Sequence, residues 1–132
     1  LEIFENYGLS YEHTPSGIDS ISVILDGSQL NDKLANEIIL KIKSTLNPDL
    51  VSVEYNKCLI SVVGIIFKRT PGISARVTGS LARAKINIEI INQGASEIST
   101  IIGIDQKDSV KSVNAIYNEF FKHKNKKINL KN

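Results

Sequence analysis

The sequence has no methionine and no tryptophan, a single cysteine, and only three prolines among its 132 residues. One cysteine cannot form an internal disulfide, so the fold cannot depend on one. No apolar run approaches the roughly 18 residues that a membrane-spanning helix needs, and no charged leader precedes an apolar stretch. These absences predict a cytoplasmic protein that is neither secreted nor inserted in a membrane. Because methionine is missing even from position 1, we expect a segment of a longer protein.

Charge is distributed unevenly along the chain. The 16 basic and 14 acidic residues give a net charge of +2, but residues 122–132 hold five lysines and no acid. The first 121 residues therefore carry eleven basic and fourteen acidic side chains, a net charge of −3. A nucleic-acid-binding domain concentrates positive charge on its folded surface. Nucleic acid is therefore not an expected partner, and the basic tail is expected to be solvated.

The first half of the chain alternates between strand-like and helix-like apolar spacing. Residues 8–13 and 20–26 are predicted strands joined by a turn at 14–17, and a β-rich run follows at 50–55. Between them a helix is predicted over 30–46, capped by Asn31 or Asp32 and ended by Asn47-Pro48. Residues expected to share a buried face are Ile21, Val23 and Leu25 in the second strand and Leu34, Ile38, Ile42 and Leu46 in the helix.

The second half repeats this succession. Strands are predicted over 59–67, 86–91 and 97–104, and Ile128 and Leu130 could form a last short strand. Thr70 is expected to cap the first helix, with Pro71 at its first position. The second helix follows Asp108. The expected apolar stripes are Ile73, Val77, Leu81 and Ala84 in the first helix, and Val110, Val113, Tyr117 and Phe120 in the second.

An internal repeat organises these elements. A shift of 77 residues places Leu9 on Ile86, Glu12 on Glu89 and Gly17 on Gly94, without a gap. The order strand, turn, strand, helix repeats with them. We therefore predict an α+β protein of two ferredoxin-like βαββαβ units. The first covers residues 1–57 and lacks its first strand and the start of its first helix, the second covers 58–121, and the tail 122–132 could add a closing strand.

Groups suited to catalysis or metal binding are sparse. His13 and His123 have no cysteine or acidic neighbour at metal-ligand spacing, and His13 is expected to be a half-buried strand residue. Cys58 has no second thiol and is expected to pack as a small hydrophobe. Glu12 and Glu89 recur at equivalent positions, which favours a polar face over an acid/base pair. No catalytic residue and no metal site is predicted.

The segment 68–72 (KRTPG) is more informative because it joins a strand to a helix. Free N–H groups and the positive end of the dipole at a helix start favour a carboxylate, and Gly72 would let a ligand approach the backbone. Pro71 and Gly72 could equally serve the geometry of the turn alone. Asn87, on the next strand, could hydrogen-bond an ammonium or carboxylate group, and residues 92–97 read either as a polar hairpin of the site or as a simple turn.

Several of these segments together carry a family resemblance. Residues 60–64 (ISVVG), 68–72, 84–88 (AKINI) and 91–99 (INQGASEIS) resemble the second ACT domain of aspartokinases. Residues 11–19 (YEHTPSGID) are similar to the corresponding strand and turn in the lysine-sensitive, monofunctional branch. The resemblance covers nearly all of residues 1–121, although Ile66 and Phe67 stand where the family usually has glycine and methionine.

The resemblance implies a regulatory function. In aspartokinases, paired ACT domains follow the kinase domain and bind lysine or threonine, the end products of the pathway, at an interface between ACT domains. ATP and magnesium are then expected only in the kinase domain, with no cofactor in this segment, and a homodimer is expected through pairing of ACT sheets. The implied effector-binding residues are Ser10, Tyr11, Glu12, Ser16 and Asp19 in the first unit, and Arg69, Thr70, Pro71, Gly72, Ile73, Asn87, Ile88 and Asn92 in the second.

Two other functions are compatible with a ferredoxin-like fold. An RNA-binding module would carry aromatic residues on its central strands for base stacking, but residues 59–67 contain only Phe67 and residues 97–104 contain none. A small acylphosphatase-like hydrolase would depend on Arg69.

Overall fold

A computed structural model describes residues 1–65, 70–93 and 99–122 of the chain, which divides into two compact units, unit 1 (Leu1–Tyr55) and unit 2 (Asn56–Asn132). Unit 1 contains α1 (Glu2–Asn6), β1 (Tyr11–His13), β2 (Ile24–Leu25) and α2 (Asp32–Leu46). Unit 2 contains β3 (Lys57–Val63), α3 (Ile73–Arg83), β4 (Ile90–Gln93), β5 (Ser99–Asp105) and α4 (Ser109–Phe121). Short 3-10 turns, Gly27–Gln29 and Gln106–Asp108, precede α2 and α4.

In unit 1, two short antiparallel strands precede a well-capped helix. The Asn31 Oδ1 atom accepts a hydrogen bond from the Leu34 amide at 2.9 Å, which satisfies one free donor of the first turn of α2. Asn47 ends the helix in a left-handed conformation, with φ of 46°, and donates its N–H to the Lys43 carbonyl. Both predicted helix ends are confirmed. Ala35 and Ile38 are the residues that α2 buries.

Three expectations for unit 1 are wrong. The strand predicted over 20–26 is reduced to Ile24–Leu25, because Ile21 pairs locally with Ser16 in a separate bridge and is 61% exposed. Residues 50–55 form no strand, and Leu50 is 81% exposed. Leu46, expected on the buried stripe, is 66% exposed because it lies in the last turn of α2.

The described residues of unit 2 form three antiparallel strands in the order β3-β5-β4, covered on one face by α3 and α4. Directly paired residues share a face of the sheet, and the pairs Cys58–Ile104 and Ile60–Ile102 face the helices. Gly103 is required in β5, because a Cβ atom there would lie 2.9 Å from the Cβ of Ile90. The fully or nearly buried core comprises Val77, Leu81, Ile86, Ile102, Ile104 and Ile116. The predicted α+β class is confirmed.

An ionic cluster connects the two helices of unit 2. Glu119 of α4 accepts hydrogen bonds from Arg76 and Arg83 of α3. Arg76 also donates to the Glu119 carbonyl at 2.9 Å, and its guanidinium lies 4.4 Å from the centre of the Phe120 ring. The side chains of Arg76, Arg83 and Glu119 thus connect α3 to α4.

The stripe predicted for α4 is largely wrong. Val110, Val113 and Tyr117 are 72%, 54% and 56% exposed. The face that packs on the sheet is instead formed by Ser112, Ile116 and Phe120. Ser112 can be buried at no cost in hydrogen bonding because its hydroxyl donates to the Asp108 carbonyl at 2.8 Å.

Strand limits also shift in unit 2. The strand predicted over 59–67 is Lys57–Val63, and the strand predicted over 86–91 begins only at Ile90. Asn87 and Ile88 therefore precede β4. The tail 123–132, with its possible closing strand at Ile128 and Leu130, lies outside the described residues.

Candidate functional site

The main-chain amides at the start of α3 are the first candidate for binding a ligand. Gly72, with φ of 86° and ψ of 0°, precedes the first helical residue, and its carbonyl accepts the first intrahelical bond from the Arg76 amide at 3.0 Å. The predicted cap Thr70 and first helical residue Pro71 are therefore wrong: Gly72 is the cap and Ile73 the first residue, because the left-handed conformation of the glycine starts the helix two residues later. Gly72 has no side chain to accept from the first-turn amides. Those amides therefore suit an external carboxylate.

The predicted neighbours of Gly72 are distributed around this helix start. Thr70 and Pro71 are exposed in the approach to α3, and Ile73 is 3% exposed and anchors the first turn in the core. Arg69 lies outside the described residues.

Gln93, which was not among the predicted residues, connects α3 to the sheet. The Ser74 hydroxyl in the first turn of α3 donates to the Gln93 Oε1 atom at 3.3 Å. Because alternate residues of a strand face opposite sides of the sheet, Asn92 lies on the face away from α3. The structure thus places Gln93 beside the helix start and Asn92 on the other face. Ile91 pairs with the buried Ile102 and so lies on the side of the sheet that faces the helices. Counting alternate residues from Ile91 assigns Gln93 to that side and Asn92 to the other.

Asn87 and Ile88 lie at the other end of α3. The helix ends at Arg83, Lys85 adopts a left-handed conformation with φ of 56°, and the Ile86 amide donates back to the Leu81 carbonyl at 3.0 Å. A helix of 11 residues is about 16 Å long at its usual rise. A single free amino acid therefore cannot contact both Gly72 and Asn87 within one copy of unit 2.

In unit 1, the predicted Glu12 occupies an irregular position on β1. Tyr11 pairs with Leu25 and His13 pairs with Ile24. The two paired residues of β1 are therefore separated by one residue, Glu12, whereas their partners in β2 are adjacent. Glu12 is the extra residue, and such bulges redirect a side chain and increase the local twist. Within the described residues the Glu12 carboxylate has no hydrogen-bond or ion-pair partner. Glu12 is exposed and available to a cationic group.

His13, which follows the bulge, is half-buried, as predicted. Its Nε2 atom is buried and has no hydrogen-bond partner.

Ser16 and Asp19 lie in a small hairpin that follows β1. The Gly17 amide donates to the Ser20 carbonyl at 2.8 Å and the Ser22 amide donates to the Pro15 carbonyl at 2.9 Å, which closes residues 15–22 into a tight loop. Both candidate side chains are exposed. The structure thus presents Ser16 and Asp19 from a hydrogen-bonded loop and Tyr11 and Glu12 from a strand.

Gln29 is a second residue that sequence reasoning missed. Its Oε1 atom accepts from the Ser10 amide at 2.9 Å, and its Nε2 atom donates to the Ser10 carbonyl at 3.1 Å. The main chain of Ser10 is therefore already occupied, and only its hydroxyl is available to a ligand. No pattern in the sequence predicts this contact, because the two residues are 19 positions apart and Gln29 lies in an irregular turn.

Other kinds of site find little support among the described residues. They contain no group of three or more histidine, cysteine, aspartate or glutamate side chains placed to hold a metal ion. They also contain no helix with the length and apolar character needed to cross a bilayer. A shallow hollow of about 280 Å³ on α4, between Ser109 and Asn114, is lined by none of the predicted site residues.

Comparison with known proteins places this fold in a family. A family model described as the ACT domain matches residues 60–120. Aspartokinase 3 of Bacillus subtilis (strain 168) is 42% identical over 121 residues, which is 92% of this chain and 27% of that protein. The crystal structure of Clostridium acetobutylicum aspartate kinase superposes with a TM-score of 0.85 at 39% identity, covering 92% of this chain and 28% of that one. The chain belongs to the ACT-domain region of the aspartokinase family.

The ACT fold also extends to more distant aspartokinases. Escherichia coli aspartokinase III, crystallised in complex with lysine and aspartate, superposes with a TM-score of 0.68 at 21% identity, over 91% of this chain and 26% of that one. This likeness concerns the fold. The chain spans about a quarter of the length of the Bacillus subtilis and Clostridium acetobutylicum proteins.

Proposed function

We propose that this chain is the effector-binding regulatory segment of an aspartokinase and that it mediates feedback inhibition by lysine or threonine. The observation that carries the proposal is the match of both units, over 92% of the chain, to aspartokinases at 39% and 42% identity. The segment itself is proposed to lack catalysis. The parent enzyme would transfer a phosphoryl group from ATP to the 4-carboxylate of aspartate, with ATP and magnesium held in its kinase domain in the cytoplasm.

The geometry of unit 1 favours lysine as the first effector to test. A free amino acid presents a carboxylate and an ammonium group, and lysine adds a second cation. Glu12 is exposed and unpaired within the described residues, and Asp19 is exposed in the neighbouring hairpin. Two carboxylates suit the two ammonium groups of lysine better than the single one of threonine.

The edges of the described sheet favour the homodimer that we propose. In unit 2, β3 and β4 are the outer strands of the described sheet, and each leaves one edge unpaired there. Such edges favour pairing with another chain.

The RNA-binding alternative has no comparable support. Neither β3 (KCLISVV) nor β5 (STIIGID) carries an aromatic residue for base stacking.

Titration calorimetry tests the proposal directly. We expect L-lysine to bind the intact protein with micromolar to millimolar affinity, and Glu12→Gln to weaken binding about tenfold through loss of one charge-assisted contact. Asp49→Asn is the matched control, because Asp49 is exposed in unit 1 outside the candidate residues. Absence of heat with both lysine and threonine would contradict the proposed function. Equal binding by wild type and Glu12→Gln would contradict the site.

A further inference from the structure

The Gln29 side chain takes the place of a strand residue opposite Ser10. In an antiparallel ladder, two facing residues of a hydrogen-bonded pair exchange both N–H···O bonds. Ser10 makes this same pair of bonds, at 2.9 and 3.1 Å, with the primary amide of Gln29 instead of with a peptide group. The side chain thus adds one rung to the β1–β2 ladder.

The rung is needed because β2 ends early. Tyr11 pairs with Leu25, so a continued ladder would place Ser10 opposite Asp26. The chain instead leaves the strand at Asp26, whose Oδ1 atom accepts from the Ser28 amide at 2.8 Å and starts the 3-10 turn. Accepting that bond also holds the pKa of the Asp26 carboxyl below its ordinary value. The turn then returns the chain so that Gln29 faces Ser10.

The position of the rung matters for Glu12. β1 has only three residues, and the bulge at Glu12 interrupts its pairing with β2. The His13–Ile24 pair fixes the chain on one side of the bulge, and the Tyr11–Leu25 pair together with the Gln29 amide fixes it on the other. Without the amide, Tyr11–Leu25 would be the one described pairing with β2 before Glu12, and the next described main-chain bond back along the chain would be the one from the Leu9 amide to the Phe4 carbonyl.

Unit 2 contains the same turn without the amide. Asp105 Oδ1 accepts from the Lys107 amide at 3.0 Å, as Asp26 does from Ser28. The third residue of that turn is Asp108, where unit 1 has Gln29. A carboxylate has no N–H to donate to a strand carbonyl. Among the described residues, therefore, only the strand that carries Glu12 is held by a side-chain amide rung.

We propose that Gln29 is a positioning residue for the effector, holding the Ser10–Glu12 segment so that the Glu12 carboxylate is presented to the ammonium group of a bound amino acid. This inference rests on the proposed function, since it requires that the segment binds an amino acid. Gln29 itself acts through the main chain of Ser10 and is not required to touch the ligand.

The test is lysine binding by the intact protein, measured by calorimetry with the thermal midpoint recorded alongside. Gln29→Met keeps the length of the side chain and removes both bonds, and we expect the Kd for lysine to rise about tenfold. Gln29→Glu keeps the acceptor for the Ser10 amide but sets a carboxylate oxygen against the Ser10 carbonyl, and it should also raise the Kd. Gln106→Met changes an exposed glutamine of the equivalent turn in unit 2 and should leave the Kd unchanged.

A double-mutant cycle with Glu12→Gln separates positioning from general stabilisation. If Gln29 acts by presenting Glu12, then Gln29→Met should change the Kd less than about twofold in the Glu12→Gln background. An equal loss in both backgrounds would overturn the positioning role, as would an unchanged Kd for both Gln29 variants when wild type binds lysine. If the Gln29→Met chain fails to fold, the Gln29→Glu cycle decides on the same criteria. Absence of lysine binding by wild type would overturn the proposed function, and this inference with it.

Discussion

Gly72 shows how a single backbone conformation places the candidate site. Its φ of 86° lies in the left-handed region, and no described atom beyond its two chain neighbours lies within 4 Å of the position that a Cβ would occupy. We therefore expect Gly72→Ala to lower the free energy of unfolding by about 1–2 kcal/mol through backbone strain alone. Gly27→Ala is the matched control, since that site is equally open and has no positive φ. Urea unfolding that gave both variants the same stability would contradict this account.

At the residue scale, the caps of α2 follow from the sequence, whereas contacts between distant residues do not. Asn47 and one of the two predicted caps, Asn31, are confirmed, because helix capping is a local property of the chain. Thr70 was a plausible cap by residue type, but a glycine that can adopt positive φ moved the helix start to Ile73. The Gln29–Ser10 pair could not be predicted, because a turn outside the regular ladder determines where that amide points.

The two faces of α4 allow the packing to be tested on one helix. Ile116 is 8% exposed and belongs to the buried cluster, whereas Val113, three residues earlier, is 54% exposed. We expect Ile116→Ala to lower the free energy of unfolding by about 2–4 kcal/mol, because it removes a buried side chain and leaves a cavity. Val113→Ala should change it by less than about 0.5 kcal/mol. Chemical denaturation of the two variants distinguishes the faces, and a larger loss for Val113→Ala would show that the predicted stripe was right.

The apolar periodicity of α4 predicts the wrong buried face, and the reason is physical. The apolar residues of α4 form two rows, one through Val110, Val113 and Tyr117 and one through Ile116 and Phe120. Both rows have helical spacing, so the pattern identifies a helix without identifying its inner face. In α3 the apolar row is single, and Ile73, Val77 and Leu81 are buried as predicted.

At the scale of the whole chain, the 77-residue repeat is the sequence feature that predicts the shared order of elements in the two units. The two units share the order strand, strand, Asp-capped turn and helix, with Asp26 and Asp105 each accepting a main-chain bond at the turn. Composition could not have shown this, because the equivalence depends on the order of elements. The units nevertheless differ in how much apolar surface they bury, which determines how their stabilities should compare.

Hydrogen exchange on the intact chain should resolve that difference. Unit 2 contains the continuous buried cluster and a sheet with seven-residue strands in β3 and β5. In unit 1 the buried apolar residues are Leu9, Ala35 and Ile38, and β2 has two residues. Regions with few buried contacts open at lower free energy. We therefore expect amides of β5 to exchange at least about a hundredfold more slowly than those of β1, corresponding to roughly 3 kcal/mol or more in opening free energy. The exposed face of α2 provides the internal control for intrinsic exchange within a helix. Equal protection in β1 and β5 would mean that the two units open together, and the burial seen within each would then not determine its local stability.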